Sequence, residues 1–212
     1  MNHRLQAPAL AAILVLTGGA ASAQDNVFKF GAIYYQTHSR TNGISGIGVP
    51  PGADADVGNA TTLLLTYERA IAPNIGVEFV LGIPPTIKGT ATGSVAFLGE
   101  VLSAKNVAPT VLVNYHFGAA GDAWRPYVGA GINYTRFTDI KSSLAPDVKM
   151  SDSTGLALQA GIDYALNKDW GMFASIAKVQ VKSKLVASGT TVLTTTIDFR
   201  PITYSFGAYY RF

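Results

Sequence analysis

The sequence ends "YSFGAYYRF", residues 204–212. Tyr204, Phe206, Ala208, Tyr210 and Phe212 fall on one parity; Ser205, Gly207, Tyr209 and Arg211 fall on the other. Alternate residues of a strand face opposite sides of a sheet, so this segment reads as a strand with one aromatic and one small or polar face. It runs out on an aromatic residue with no polar tail, which suits a strand whose edge is covered by another strand.

The same period of two recurs upstream. Phe28, Phe30, Ala32 and Tyr34 alternate with Lys29, Gly31, Ile33 and Tyr35. Further strands are predicted at "TLLLTYE" (62–68), "IGVEFVLGI" (75–83), "TVLVNYHF" (110–117), "YVGAGINYT" (127–135) and "GLALQAGIDY" (155–164). "WGMFASIAKVQV" (170–181) is a seventh strand whose two faces the pattern does not distinguish. In the last strand, Ile197 and Phe199 sit on the parity opposite to the aromatic set, which predicts a bulge near Pro201.

Between these eight strands, short breaks alternate with long ones. The short breaks are Ala72-Pro73-Asn74, Gly118–Trp124 and Asn167-Lys168-Asp169; the long ones are Arg40–Asn59, Lys88–Asn106, Lys141–Ser151 and the region of Ala187–Thr190. Short turns at one end and long loops at the other predict an all-β, eight-stranded antiparallel transmembrane barrel of the outer-membrane type, with both termini in the periplasm. Leu98, Val101 and Leu102 at helical spacing predict a short surface helix inside the second long loop. A water-soluble sandwich would need charge on its outer faces. Here the second face carries Gly, Thr, Asn, Gln and single charges, which suits a small barrel interior. Tyr67, Tyr115, Phe117 and Tyr164 gather at strand ends, as an aromatic girdle would.

The beginning of the chain supports export. Residues 1–23 contain Arg4, an apolar run over 9–16 and the small-residue motif Ala21-Ser22-Ala23, as in a cleavable secretory signal peptide. The domain expectation is a removed signal at 1–23 and one barrel at 24–212. Charged residues make up 14% of the chain, below the quarter or so of soluble domains, and cysteine is absent, which excludes disulfides and thiolate metal sites. The formal net charge of +3 is too small and scattered to suggest a nucleic-acid partner.

Several segments carry a family likeness: "ADVGNATTLLLTYERAIAPNIGVEFVLGIPPT" (55–86), "APTVLVNYHF" (108–117), "RPYVGAGINYTRF" (125–137) and the strand ending at Phe212. Over residues 27–212 the chain resembles the OmpW family of eight-stranded outer-membrane proteins, including its AlkL and OprG members. The resemblance implies a narrow barrel with a largely apolar lumen in the outer membrane of a Gram-negative bacterium. It also implies passive uptake of small hydrophobic solutes, with lateral release into the bilayer in some members. Tyr204, Phe206, Tyr210 and Phe212 look like the signal read by the outer-membrane assembly machinery, which with membrane lipid completes the implied partners.

Three sets of residues are candidates for that work. Pro84 and Pro85 interrupt the outer end of the third strand and Pro109 lies near the outer end of the fourth. Proline cannot donate to a ladder, so these positions either end the strands or open a lateral port. Ile33, Leu64, Val80 and Leu112 are apolar on the inward face; they either fill the barrel or line a passage, and the resemblance favours the passage. Lys29, Glu68, Glu78, Asp163 and Arg211, with His116 nearby, form an inward charged set toward the periplasmic end. Buried charges must pair, so the expectation is a salt-bridged floor that blocks a straight aqueous path and favours lateral exit.

Catalysis is not expected. His38 and Ser39 are adjacent, but neighbours in a strand point to opposite faces and make a poor nucleophile–base pair. No metal cluster or cofactor motif is expected either. The alternative to transport is a closed structural or adhesive barrel acting through its extracellular loops.

Overall fold

A computed structural model describes residues 26–189 and 192–212; the expected signal peptide lies outside them. Fifteen strand segments follow in order: β1 (Asn26–Gln36), β2 (Arg40–Thr41), β3 (Ala53–Val57), β4 (Ala60–Ala72), β5 (Ile75–Gly82), β6 (Thr86–Gly93), β7 (Glu100–Val107), β8 (Thr110–His116), β9 (Trp124–Ser142), β10 (Asp147–Met150), β11 (Ser153–Ala165), β12 (Trp170–Val179), β13 (Lys182–Ser188), β14 (Val192–Asp198) and β15 (Ile202–Arg211).

Eight of them, β1, β4, β5, β8, β9, β11, β12 and β15, pair antiparallel in that order, and β15 closes onto β1. The ring therefore has no free edge, the condition for holding strands in lipid. The terminal aromatic strand seals it: Asn26 N donates to Phe212 O at 3.2 Å and Phe212 N to Asn26 O at 2.9 Å. The remaining segments prolong the ring at the loop end. They make eight continuous staves, in order β1 with β2, β3 with β4, β5 with β6, β7 with β8, β9 alone, β10 with β11, β12 with β13, and β14 with β15.

The three expected short turns are present at the opposite end. The long connections differ from the expectation, since Arg40–Asn59 contains β2 and β3, Lys88–Asn106 contains most of β6 and β7, and Lys141–Ser151 contains β10. The expected helix near Leu98, Val101 and Leu102 is replaced by one 3-10 turn at Ala96–Leu98, after which β7 begins at Glu100. So short a helical pattern cannot outweigh the cost of helix nucleation when β6 and β9 offer ladders on both sides.

The bulge expected near Pro201 is also absent. Lys178 pairs with Ile202 below the proline and Lys182 with Asp198 above it, so both staves advance equally. Ile197 and Phe199 are buried on the same inward parity as Thr203, Ser205 and Tyr209. What changes is the surroundings. Along the lower staves the outward residues are exposed and apolar, among them Leu63, Leu65, Leu81, Val113, Ile132, Leu158, Ile176 and Phe206. Above, the inward residues Val57, Ile87, Ala104, Phe137, Val181, Ile197 and Phe199 form the largest core cluster, while Lys182, Lys184 and Thr196 face out. This stave, leaving lipid for water, keeps its backbone parity and inverts its polarity.

Around the turn end the aromatics meet in pairs: Phe28 with Tyr67, Tyr115 with Phe117, Trp124 with Tyr164, and Trp170 with Tyr210. The expected girdle is thus formed, with both tryptophans added to it.

Candidate functional site

The inward faces enclose a chamber of about 70 Å³ at mid-barrel. Ile33, Leu64, Val80 and Leu112 all line it, together with Phe173, Ala157, Thr66, Asn133, Gln159 and Thr203 among others. Apolar and polar groups are therefore mixed, where a largely apolar lumen was expected. The purely apolar part lies above, where Phe137 and Phe199 stack at 5.3 Å within the main core cluster. Beyond that plug a second space of about 70 Å³ is lined mainly by Ile44, Val57, Val101, Leu144, Leu185 and Ile197. The ambiguous seventh strand resolves here: Phe173 and Ser175 point inward, while Met172, Ala174 and Ile176 point to lipid.

The chamber rests on a charged floor. Lys29, 1% exposed, donates to both carboxylate oxygens of Asp163 at 3.0 and 3.2 Å and lies 3.7 Å from Glu68. Its ammonium also sits 4.4 Å from the centroid of the Tyr127 ring. His116 Nε2 is 2.6 Å from Glu68 Oε1. Two expected members behave differently. Glu78 is held by amides, accepting from Asn114 Nδ2 at 2.8 Å and Gln159 Nε2 at 2.6 Å. Arg211 makes no ion pair among the described residues; its guanidinium lies over the Tyr209 ring and faces a space of about 460 Å³ beneath the floor, beside Arg125. Sequence reading missed Asn114, Gln159 and Arg125, although all three share the inward parity of their staves. Glycines make room for the floor's tyrosines: a Cβ on Gly161 would fall 2.4 Å from Tyr127 Cζ, and one on Gly171 would fall 2.2 Å from Tyr209 Cζ.

The wall is interrupted at the seam between the third and fourth staves. β5 pairs with β8 up to Val80 opposite Thr110, and β6 pairs with β7 from Thr86 opposite Lys105. The ladder between is replaced by one bond from Asn106 N to Pro85 O at 3.0 Å. Pro84 and Pro85 cannot donate, and the third stave spends one residue more than the fourth in crossing the gap. Its inward parity therefore switches, from Val80 below to Ile87 and Ala91 above. Pro84 and Pro85 lie between the end of β5 and the start of β6, and Pro109 between β7 and β8, so each interrupts a stave that continues beyond it.

Beyond the fourth stave the seam is continuous, with Tyr134 N donating to Pro109 O at 3.0 Å; on the other side the ladder between the second and third staves also lapses, between Ile83 N donating to Leu63 O at 3.1 Å and Gly58 N donating to Lys88 O at 2.9 Å. At the gap, Ala108 O turns to Thr110 Oγ1 at 3.3 Å and Asn133 Nδ2 at 3.4 Å, while the buried Asn106 Oδ1 has no partner. Asn106 and Ala108 both line the chamber, so the internal space extends to the break.

The remaining candidates are apart from this arrangement. His38 is exposed on the outer wall, and Ser39 Oγ donates to Asp56 Oδ1 at 2.5 Å. Of the proposed assembly residues, Tyr204, Phe206 and Tyr210 face lipid, and Phe212 stacks on Tyr210 at 5.9 Å.

Comparison with known proteins gives a consistent result. The sequence profile of the OmpW family matches residues 24–212. Outer membrane protein W of Escherichia coli (strain K12) is 33% identical over 217 residues, covering 99% of each chain. The dibenzothiophene metabolism operon protein PahQ of Pseudomonas aeruginosa is 34% identical over 134 residues, covering 63% of this chain and 62% of its own. The crystal structure of the outer membrane protein OprG from Pseudomonas aeruginosa superposes with a TM-score of 0.83 at 27% identity, over 90% of this chain and 96% of that one.

Proposed function

The chain belongs to the OmpW family of Gram-negative outer-membrane barrels, and on that premise we propose that it passively admits small hydrophobic molecules and releases them sideways into the bilayer. The turns and both chain ends face the periplasm, and the loop end faces outward. A solute enters the upper apolar space, passes when Phe137 and Phe199 part, and reaches the chamber among Ile33, Leu64, Val80 and Leu112. Lys29, Asp163, Glu68 and His116 bar the direct route below, because a hydrophobe gains nothing by crossing a paired charged layer. It leaves through the gap flanked by Pro84, Pro85 and Pro109. During assembly in the membrane, the strand from Tyr204 to Phe212 is the segment the assembly machinery engages.

The observation that carries this reading is the broken ladder between Val80–Thr110 and Thr86–Lys105, with the chamber reaching it at Asn106 and Ala108. The name of the PahQ relative, which refers to the metabolism of an aromatic heterocycle, supports an apolar cargo. The test is flux into vesicles holding the refolded protein, with an apolar and a polar solute of similar size. Two variants follow: Ala108→Phe, which fills the chamber beside the gap, and the Pro84→Ala, Pro85→Ala, Pro109→Ala triple. Apolar-selective uptake that both variants reduce is the expected outcome. Equal polar flux would replace this reading with an aqueous pore. No flux of either solute would leave a closed barrel acting through its loops.

A further inference from the structure

The outer wall is not uniform above its apolar belt. On the seventh stave the lipid-facing series Trp170, Met172, Ala174, Ile176 gives way to Lys178, Gln180, Lys182 and Lys184, all exposed. On the eighth, Tyr210, Phe206, Tyr204 and Ile202 give way to Arg200. On the first, Phe28, Phe30 and Tyr34 give way to Gln36, His38 and Arg40. Register places these side by side: Lys178 pairs with Ile202 and Lys182 with Asp198, which sets Gln180 opposite Arg200, and Asp198 pairs in turn with Arg40.

From Tyr210 to Arg200 the stave rises by roughly 33 Å along its own axis, and by about 25 Å once its tilt is included. That is the height of the hydrocarbon band, so the cations begin where lipid head groups begin. The stacked Tyr34 and Tyr204, 6.4 Å apart, mark the interface just beneath them.

Lys178, Lys182, Lys184 and Arg40 take part in no ion pair among the described residues. Arg200 is bonded to Asp198 at 2.7 Å, and the carboxylates at the patch's edge have hydroxyl partners: Asp56 with Ser39, Asp54 with Thr41 and Asp152 with Tyr134. The patch is also concave. A recess of about 370 Å³ is lined by Ser153, Thr154, Lys178, Lys182, Asp198 and Arg200.

We propose that this face, on the seventh, eighth and first staves, binds the phosphate groups of the glycolipid that fills the outer leaflet, lipopolysaccharide, with Lys178, Lys182 and Arg200 seating one phosphate in the recess. Unpaired cations at the depth of anionic head groups, hydroxyls of Ser153 and Thr154 beside them, and an aromatic pair beneath make a surface complementary to a phosphorylated sugar on acyl chains. The placement has a consequence. In a ring of eight, the seam between staves seven and eight lies opposite the seam between three and four. The glycolipid is therefore held on the wall away from the gap at Pro84, Pro85 and Pro109, and tightly bound acyl chains do not crowd it. Of the proposed function this inference takes only the outward orientation of the loop end, and its test involves no transport.

Refolded protein in a neutral detergent is titrated with lipopolysaccharide, with the same lipopolysaccharide stripped of its lipid A phosphates, and with phosphatidylglycerol, and bound lipid is counted by native mass spectrometry. The wild type is compared with the Lys178→Gln, Lys182→Gln, Lys184→Gln variant and with a Lys88→Gln, Lys105→Gln, Lys149→Gln control, each first shown to be folded by heat-modifiable gel migration. The expected result is stoichiometric binding of the phosphorylated form, weakened roughly tenfold or more in the first variant and unchanged in the control. Three results would each overturn the proposal: equal binding of the dephosphorylated form, equal binding of phosphatidylglycerol, or an equal loss in both lysine variants.

Discussion

Replacing Lys29 with methionine removes the cation at the centre of the floor while nearly keeping its volume. The cost is set by what the ammonium leaves behind. Glu68 keeps His116 at 2.6 Å, whereas Asp163 loses both of its hydrogen bonds and is left with only the His116 ring, Nδ1 at 4.0 Å. Breaking a buried pair from one side costs about 3–5 kcal/mol, because the surviving charge stays desolvated. Most of that penalty falls on Asp163. Lys29→Met should therefore lose about 3–5 kcal/mol, and adding Asp163→Asn should restore most of it. Adding Glu68→Gln should restore less, since Glu68 keeps its bond to His116 and so carries less of the penalty than Asp163. The assay is urea unfolding of vesicle-inserted protein, followed by the fluorescence of Trp124 and Trp170. A Lys29→Met barrel within about 1 kcal/mol of wild type, or effects of the two substitutions that simply add, would refute the reasoning.

Three further outcomes are expected. Gly31 and Gly207 face each other across the closing seam, and a Cβ on Gly31 would fall 2.2 Å from Phe206 O and 2.7 Å from Gly207 Cα; Gly31→Val should prevent closure, read as loss of the compact unheated gel species. Phe212→Ala removes a stacking ring but leaves the backbone bonds to Asn26 intact; it should refold in detergent with a loss of no more than about 1 kcal/mol yet accumulate poorly in the outer membrane of cells, and normal cellular levels would end the assembly role. Trp124 and Trp170 both belong to the turn-end girdle, so bromine placed near lipid head groups should quench their fluorescence more than bromine deep in the acyl chains; the reverse order would place that end inside the hydrocarbon.

The period of two made the barrel wall legible, because one medium lies on each side of it: lipid outside the lower staves, a crowded interior within. The grouping of Lys29, Glu68 and Asp163 was legible from the sequence, since charges on the inward parity have nowhere to go but to one another. The same logic failed at Ile197 and Phe199. Their apolar parity was opposite to that of the aromatic series, which reads locally as a bulge, but the stave keeps its register with the seventh across the break at Pro201 and the medium changes around it. The second strand segments beyond the belt were hidden for the same reason. Arg125 and Arg211 were harder still, because a guanidinium that rests on a ring or beside an open polar space needs no carboxylate.

The sequence by itself determined that strands alternate, which face meets lipid and where ladders must fail: proline lacks a donor wherever it stands, and a side chain's parity is a property of the chain alone. Only the tertiary structure decided that the failures at Pro84, Pro85 and Pro109 fall on one seam, that Glu78 rests on amides and not on a cation, and that six basic side chains from three staves meet on one wall. These depend on register, and register is fixed by closing the ring: once β15 pairs with β1, every stave's height is set by all the others.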